Sequence, residues 1–201
     1  RETGLFYHGE FGEFVSGYLS FTNSTASNVV SDTNDTLFTA ARIDIKPIKG
    51  LLVGVSGGTG AVTGAHLTRD RIAAHVRYDG PESTPFGFRA EYLRATDGQA
   101  GKDDLRQDGF YVSGLYTLGG HYQLGVRYDE LNTNKDVDGA KIKTFTAGFH
   151  YLVKAYAQNS TTSRNVNIKL DYYHVKQEGR KINNNLEESY GQFVLGAQVA
   201  F

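Results

Sequence analysis

One spacing recurs along the chain: Arg42-Ile-Asp44, Arg77-Tyr-Asp79, Arg89-Ala-Glu91, Arg127-Tyr-Asp129 and Lys169-Leu-Asp171. In a strand, a cation and an acid two residues apart point to the same side, about 7 Å apart along it. Opposite charges on neighbouring strands brace a wall, each pair contributing only tenths of a kcal/mol, and bracing is their expected main role. The second role is a field across water, in which surplus cations favour the passage of anions. Arg42, Lys46, Arg77, Arg89, Arg127 and Lys169, with His75 and His150 in the same phase, outnumber Asp44, Glu91, Asp129 and Asp171. The excess is modest, so weak anion preference is expected.

Other chemistry finds little support. Six His are scattered (His8, His66, His75, His121, His150, His174), with no His-x-x-x-His and no Gly-x-Ser-x-Gly. His174 is the one strand His on the opposite face, and no Ser clearly lies beside it. Val55-Ser-Gly-Gly-Thr-Gly60 lacks the Lys-Ser/Thr of a phosphate loop and reads as a strand end running into a loop. Asp103-Asp104 and Asp136-Val-Asp138-Gly lack full calcium-loop spacing and read as solvated loop charge. The absence of Cys removes thiolate chemistry and Cys-ligated metals. A net charge of -1 gives no nucleic-acid footprint. No catalytic residue, metal or cofactor is expected.

The elements that must carry these pairs are strands. No apolar run approaches the ~20 residues of a transmembrane helix. Apolar/polar alternation bounded by turn residues predicts about ten strands, at roughly 12–22, 36–46, 50–59, 70–79, 86–96, 108–118, 121–131, 142–153, 165–177 and 190–201. Residues 4–9 read as the end of an eleventh. Compact turns at 46–50, 79–85 and 118–121 alternate with longer polar segments at 23–36, 60–70, 97–107, 132–141 and 177–188. Segment 154–164 should be short by this alternation and is not. Tight turns at one end and longer loops at the other are a barrel's pattern.

Each strand has one apolar phase, for example Phe145, Ala147, Phe149 and Tyr151, or Phe193, Leu195, Ala197, Val199 and Phe201. Aromatics in this phase gather near strand ends: Tyr78, Phe86, Tyr116, Tyr122 and Tyr151 towards the turns, Tyr92, Tyr128 and Tyr172 towards the loops. Two aromatic girdles around an aliphatic band are the expected surface of a barrel in lipid. A charge on that surface costs about 2–4 kcal/mol, so the charged pairs belong to the other face. The expected fold is an all-β, antiparallel, up-and-down transmembrane β-barrel domain over 1–201. The chain shows no signal sequence and no initiating Met, and reads as a mature form or a piece of something longer.

The segment from Leu51 to Phe201 resembles the phosphate-selective porin O/P family. The likeness is carried by Lys46-Pro-Ile-Lys-Gly-Leu-Leu-Val-Gly-Val-Ser-Gly57, Phe88-Arg-Ala-Glu-Tyr-Leu-Arg94 and Asp108-Gly-Phe-Tyr-Val-Ser-Gly-Leu-Tyr116. Tyr122-Gln-Leu-Gly-Val-Arg-Tyr-Asp129 and the ending Gly196-Ala-Gln-Val-Ala-Phe201 complete it. The resemblance implies a barrel of about sixteen strands, roughly twice this length, with Arg and Lys lining the pore and often a homotrimer. This chain is similar to the C-terminal half, and the family's inward-folded constriction loop has no counterpart in it. Only the wall positions of Arg89 and Arg127 carry over. Phe201 corresponds to the closing aromatic read by the insertion machinery of outer-membrane barrels.

The expected function is a channel in the bacterial outer membrane for passive diffusion of small anionic or polar solutes. Its rival is a barrel that sheathes or anchors a plug or lumen protein, such as a multihaem cytochrome, and conducts nothing.

Overall fold

The structure, a computed structural model, describes residues 4–23, 37–62, 67–80, 85–118, 121–155, 164–182 and 185–200. Eleven strands follow one another: β1 (Gly4–Phe11), β2 (Val15–Asn23), β3 (Leu37–Ile48), β4 (Leu51–Val62), β5 (Leu67–Asp79), β6 (Phe86–Gln99), β7 (Lys102–Leu118), β8 (Tyr122–Asn132), β9 (Lys141–Ala155), β10 (Arg164–Ile182) and β11 (Asn185–Ala200). Each pairs antiparallel with the next, giving one sheet in the order β1 to β11. Among the described residues β1 and β11 do not pair with each other. The partial eleventh strand expected at 4–9 is a full one, matched to β2 from Gly4↔Thr22 to Phe11↔Val15.

The predicted cores of the strands hold, whereas the loop-side segments differ. Asp97–Gln107 is a hairpin: β6 runs to Gln99 and β7 starts at Lys102, with Gly101 at φ 67° in the turn. Asp103 and Asp104 are therefore strand residues. Likewise β10 runs to Ile182 and β11 starts at Asn185, within the stretch expected as a loop. Val55–Gly60 lies inside β4, which continues to Val62. Apolar alternation ends where lipid ends, but backbone pairing does not need it, so the ladder continues into water. Segment 133–140 remains a loop. The expected loop at 23–36 and the anomalous segment 154–164 fall largely outside the described residues. Pro47, which lacks an N–H, sits within β3 where the register to β4 shifts between Ile45 and Ile48.

Register fixes the faces, because residues directly opposite in antiparallel strands share one side. One rung of the apolar face runs Val53↔Val76↔Ala90↔Val112↔Tyr128↔Phe145. Side chains of this face are largely uncovered: Val126 is 55% exposed and Leu195 76%. The residues buried among those described lie on the polar face, Ser16, Thr22, Asp44 and Ala95 among them. A sheet whose apolar side is bare and whose buried residues lie on its polar side is inside-out for water and right for lipid.

Candidate functional site

The aromatics expected at the membrane edges lie on the apolar face. Phe86 faces Tyr116 and Tyr92 faces Phe110 across β6 and β7. Tyr122 faces Tyr151 and Tyr128 faces Phe145 across β8 and β9. Within each of these strands the two aromatics are six residues apart, ~20 Å along the strand. Tyr78 is opposite Phe88, and Tyr172 packs on Phe193 with ring centroids 4.8 Å apart. Phe201 lies outside the described residues.

The charged residues share the other face. Arg42, Asp44, His75, Arg77, Arg89, Glu91, Arg127, Asp129, Lys169 and Asp171 all fall in its phase, and Lys46 stands within the register shift between Ile45 and Ile48. Same-strand ion pairs form on β3, β5 and β8. Arg42 Nε donates to Asp44 Oδ1 at 2.8 Å, Arg127 Nε donates to Asp129 Oδ1 at 2.8 Å, and Arg77 pairs with Asp79. Arg89 reaches across to Asp79, with Nη2 at 3.4 Å from Oδ1. Asp171 receives His150, with Nε2 at 2.9 Å from Oδ1. These bonds tie β5 to β6 and β9 to β10.

The most buried of these groups is Asp44, 2% exposed. It shares a rung with Gly54 and His75, so the glycine lies between the acid and the imidazole. His75 Nε2 stands 3.1 Å from Asp44 Oδ1 and 3.1 Å from Arg42 Nη2. Gly148 serves similarly beside Asp171 and His150, leaving the carboxylate room to reach over the backbone.

A rung below, Arg77, Arg89, Ser113 and Arg127 follow one another across β5 to β8. Arg127 also lies over the Tyr111 ring, 3.9 Å from its centroid. Arg89, Arg127 and Lys169 border a hollow of about 410 Å³ that Asp79, His150 and Asp171 also line. Three cations, one imidazole and two acids around water can attract a small anion without enclosing it.

Sequence reasoning missed two cations. Arg69 and Arg71 continue the phase of His75 and Arg77 to the loop end of β5. Both meet Asp97 Oδ1, at 3.4 and 2.7 Å. The spacing Arg69-Asp-Arg71 was the available signal, hidden because residues 60–70 read as a loop. Missed too were aromatics on the polar face: Phe6, Tyr18, Phe38, Tyr111 and Tyr173. Among the described residues no group of three or more His, Asp or Glu could hold a metal ion.

An up-and-down antiparallel wall with one aromatic-edged lipid face and one charged face defines a porin-type outer-membrane β-barrel. The chain belongs to the phosphate-selective porin O and P family, whose sequence model matches residues 58–201. It is a protein of the bacterial outer membrane. The motif at 46–57 lies just ahead of the matched region. In fold the chain is similar to an anion-selective porin from Comamonas acidovorans, with a TM-score of 0.63 and 12% identity. The match covers 96% of this chain and 55% of that one, so the chain spans about half that porin's length. No curated protein matches the chain.

Proposed function

We propose that this wall lines a channel for passive diffusion of small anionic or polar solutes, with weak anion selectivity set by its Arg and Lys side chains. The observation that carries the proposal is the sharing of acids. Arg77 and Arg89 meet the single Asp79, and Arg69 and Arg71 meet the single Asp97. Each shared carboxylate offsets one guanidinium, leaving a local surplus of positive charge on the polar face. Because acids accompany every cluster, the field biases passage and does not trap the ion. The name of the structurally similar protein, an anion-selective porin, agrees with this.

We also take residues 1–201 as one barrel domain that forms part of a larger barrel. Unpaired edges at β1 and β11 cannot face lipid, where each unsatisfied backbone group costs several kcal/mol. No catalytic step enters the proposal, and an esterase or protease assay of the folded barrel should show only background hydrolysis.

The test is single-channel conductance of the whole barrel in a planar bilayer, with reversal potential under a salt gradient. Open steps with anion-biased reversal are expected, and Arg127→Glu or Arg89→Glu should move the reversal towards cations. An inserted barrel that stays silent and purifies with a stoichiometric coloured or plug-like partner would put the sheath in the channel's place. Crosslinking in detergent reads the homotrimer that the family resemblance implies.

A further inference from the structure

Resting on the channel proposed above, we infer that its wall carries a binding hollow for aromatic organic anions. A cavity of about 600 Å³ opens over β1 to β6, within the size range of small-molecule pockets. Its floor is made of small residues, because Ala40 faces Gly58 and Ser56 faces Ala73. Around that floor stand Phe6, Tyr18, Phe38 and Leu93, with the guanidinium groups of Arg42 and Arg71. Glu91 is the acid among the lining residues.

The aromatic rings are held in place. A Cβ on Gly58 would come within 2.7 Å of Phe38 Cζ, so the ring lies directly over the glycine. Tyr18 stacks on His8 with centroids 4.5 Å apart and planes 17° from parallel. Arg42 Cζ lies 5.6 Å from the Tyr18 ring centroid, and its guanidinium is fixed by Asp44.

Aromatics on the lipid face are explained by lipid; these are on the other side. Phe6 is 65% exposed and Tyr18 42%, on a face that the channel gives to water. Apolar surface left in water is a cost that a flat ligand ring would remove. A bare inorganic anion gains nothing from an aromatic face, whose quadrupole is negative. An aromatic cation would meet Arg42 already beside Tyr18. An aromatic carboxylate satisfies both features: its ring covers Tyr18 and Phe38, and its oxygens meet the N–H donors that Arg42 and Arg71 keep beside their bonds to Asp44 and Asp97.

The probe is benzoate, with acetate as the aliphatic anion of equal charge, added to the whole barrel conducting chloride in a planar bilayer. Benzoate should reduce the chloride current at concentrations where acetate does not. Tyr18→Ala should weaken the benzoate effect relative to acetate roughly fivefold, the scale of one lost aromatic contact. Tyr18→Leu, which keeps apolar volume, gives the same readout if the alanine variant does not fold. Calorimetry of the detergent-folded barrel with each anion separates this inference from the channel. Conduction with benzoate and acetate acting alike, or with benzoate block unchanged in both variants, overturns the hollow and leaves the channel standing. Benzoate-specific heat in a barrel that never conducts upholds the hollow and overturns the channel.

Discussion

Two glycines decide where the buried acids of the polar face can sit. A Cβ on Gly54 would lie 2.6 Å from His75 Nε2 and closer still to Asp44 Oδ1. Gly54→Ala should therefore push the acid off its partners and destabilise the barrel by about 1–3 kcal/mol, the usual cost of overpacking. Urea unfolding in lipid vesicles reads this, with Gly196→Ala as the control, since nothing lies within 4 Å of a Cβ there. A neutral Gly54→Ala would mean that Asp44 does not need its place. At the loop, Arg106 pairs with Asp136, and this hydrogen-bonded contact holds the Asp136 carboxyl below its ordinary range. A lowered folded-state pKa stabilises above the unfolded value and is lost as pH falls through the folded one. Loop 133–140 should hence loosen only in acid, below the carboxylate range. Faster hydrogen exchange at the Lys135 amide, which donates to Arg106 O at 2.8 Å, would report it, and Asp136→Asn should remove the pH dependence.

At the scale of the strand, alternation sorts lipid from water. Val126 on β8 is 55% exposed on the apolar face, and Gln123 on the same strand belongs to the polar face. Val126→Arg should cost about 2–4 kcal/mol on folding into bilayers, while Gln123→Arg should cost a fraction of that. Equal costs would overturn the assignment of faces. Strand length is less bound to the membrane. β7 has 17 residues and β10 has 19, more than the ~10 needed to cross it. Their extra turns stand in water, where charged residues on both faces still pair through the backbone ladder. Arg106 and Asp108 on β7 sit in this extension.

For the whole molecule, strand parity matters. Eleven strands in an antiparallel meander leave β1 and β11 running the same way, so direct closure would need a parallel pair. An antiparallel barrel closes only with an odd number of further strands between them, in keeping with the even count of bacterial barrels. A polypeptide limited to residues 1–201 should accordingly enter lipid only with its edges paired, as edge-to-edge oligomers on crosslinking. A stable lipid-embedded monomer by native mass spectrometry would refute this.

The sequence by itself determined the strand cores, their two faces and the aromatic edges, because a period of two along each strand writes the lipid boundary directly into residue types. Phe145, Ala147, Phe149 and Tyr151 show the apolar face without any neighbour, and Arg127 with Asp129 shows the polar one. The tertiary structure decided what depends on register. That Arg89 meets Asp79, that Arg69 and Arg71 share Asp97, and that Gly54 lies between Asp44 and His75 follow from cross-strand alignment, which sliding one strand by two residues would change without altering any face. Register also gathers Phe6, Tyr18 and Phe38 from three strands around one hollow. On the polar face of its own strand each stands beside small or polar neighbours, such as Gly4, Ser20 and Ala40, and only pairing makes them a surface.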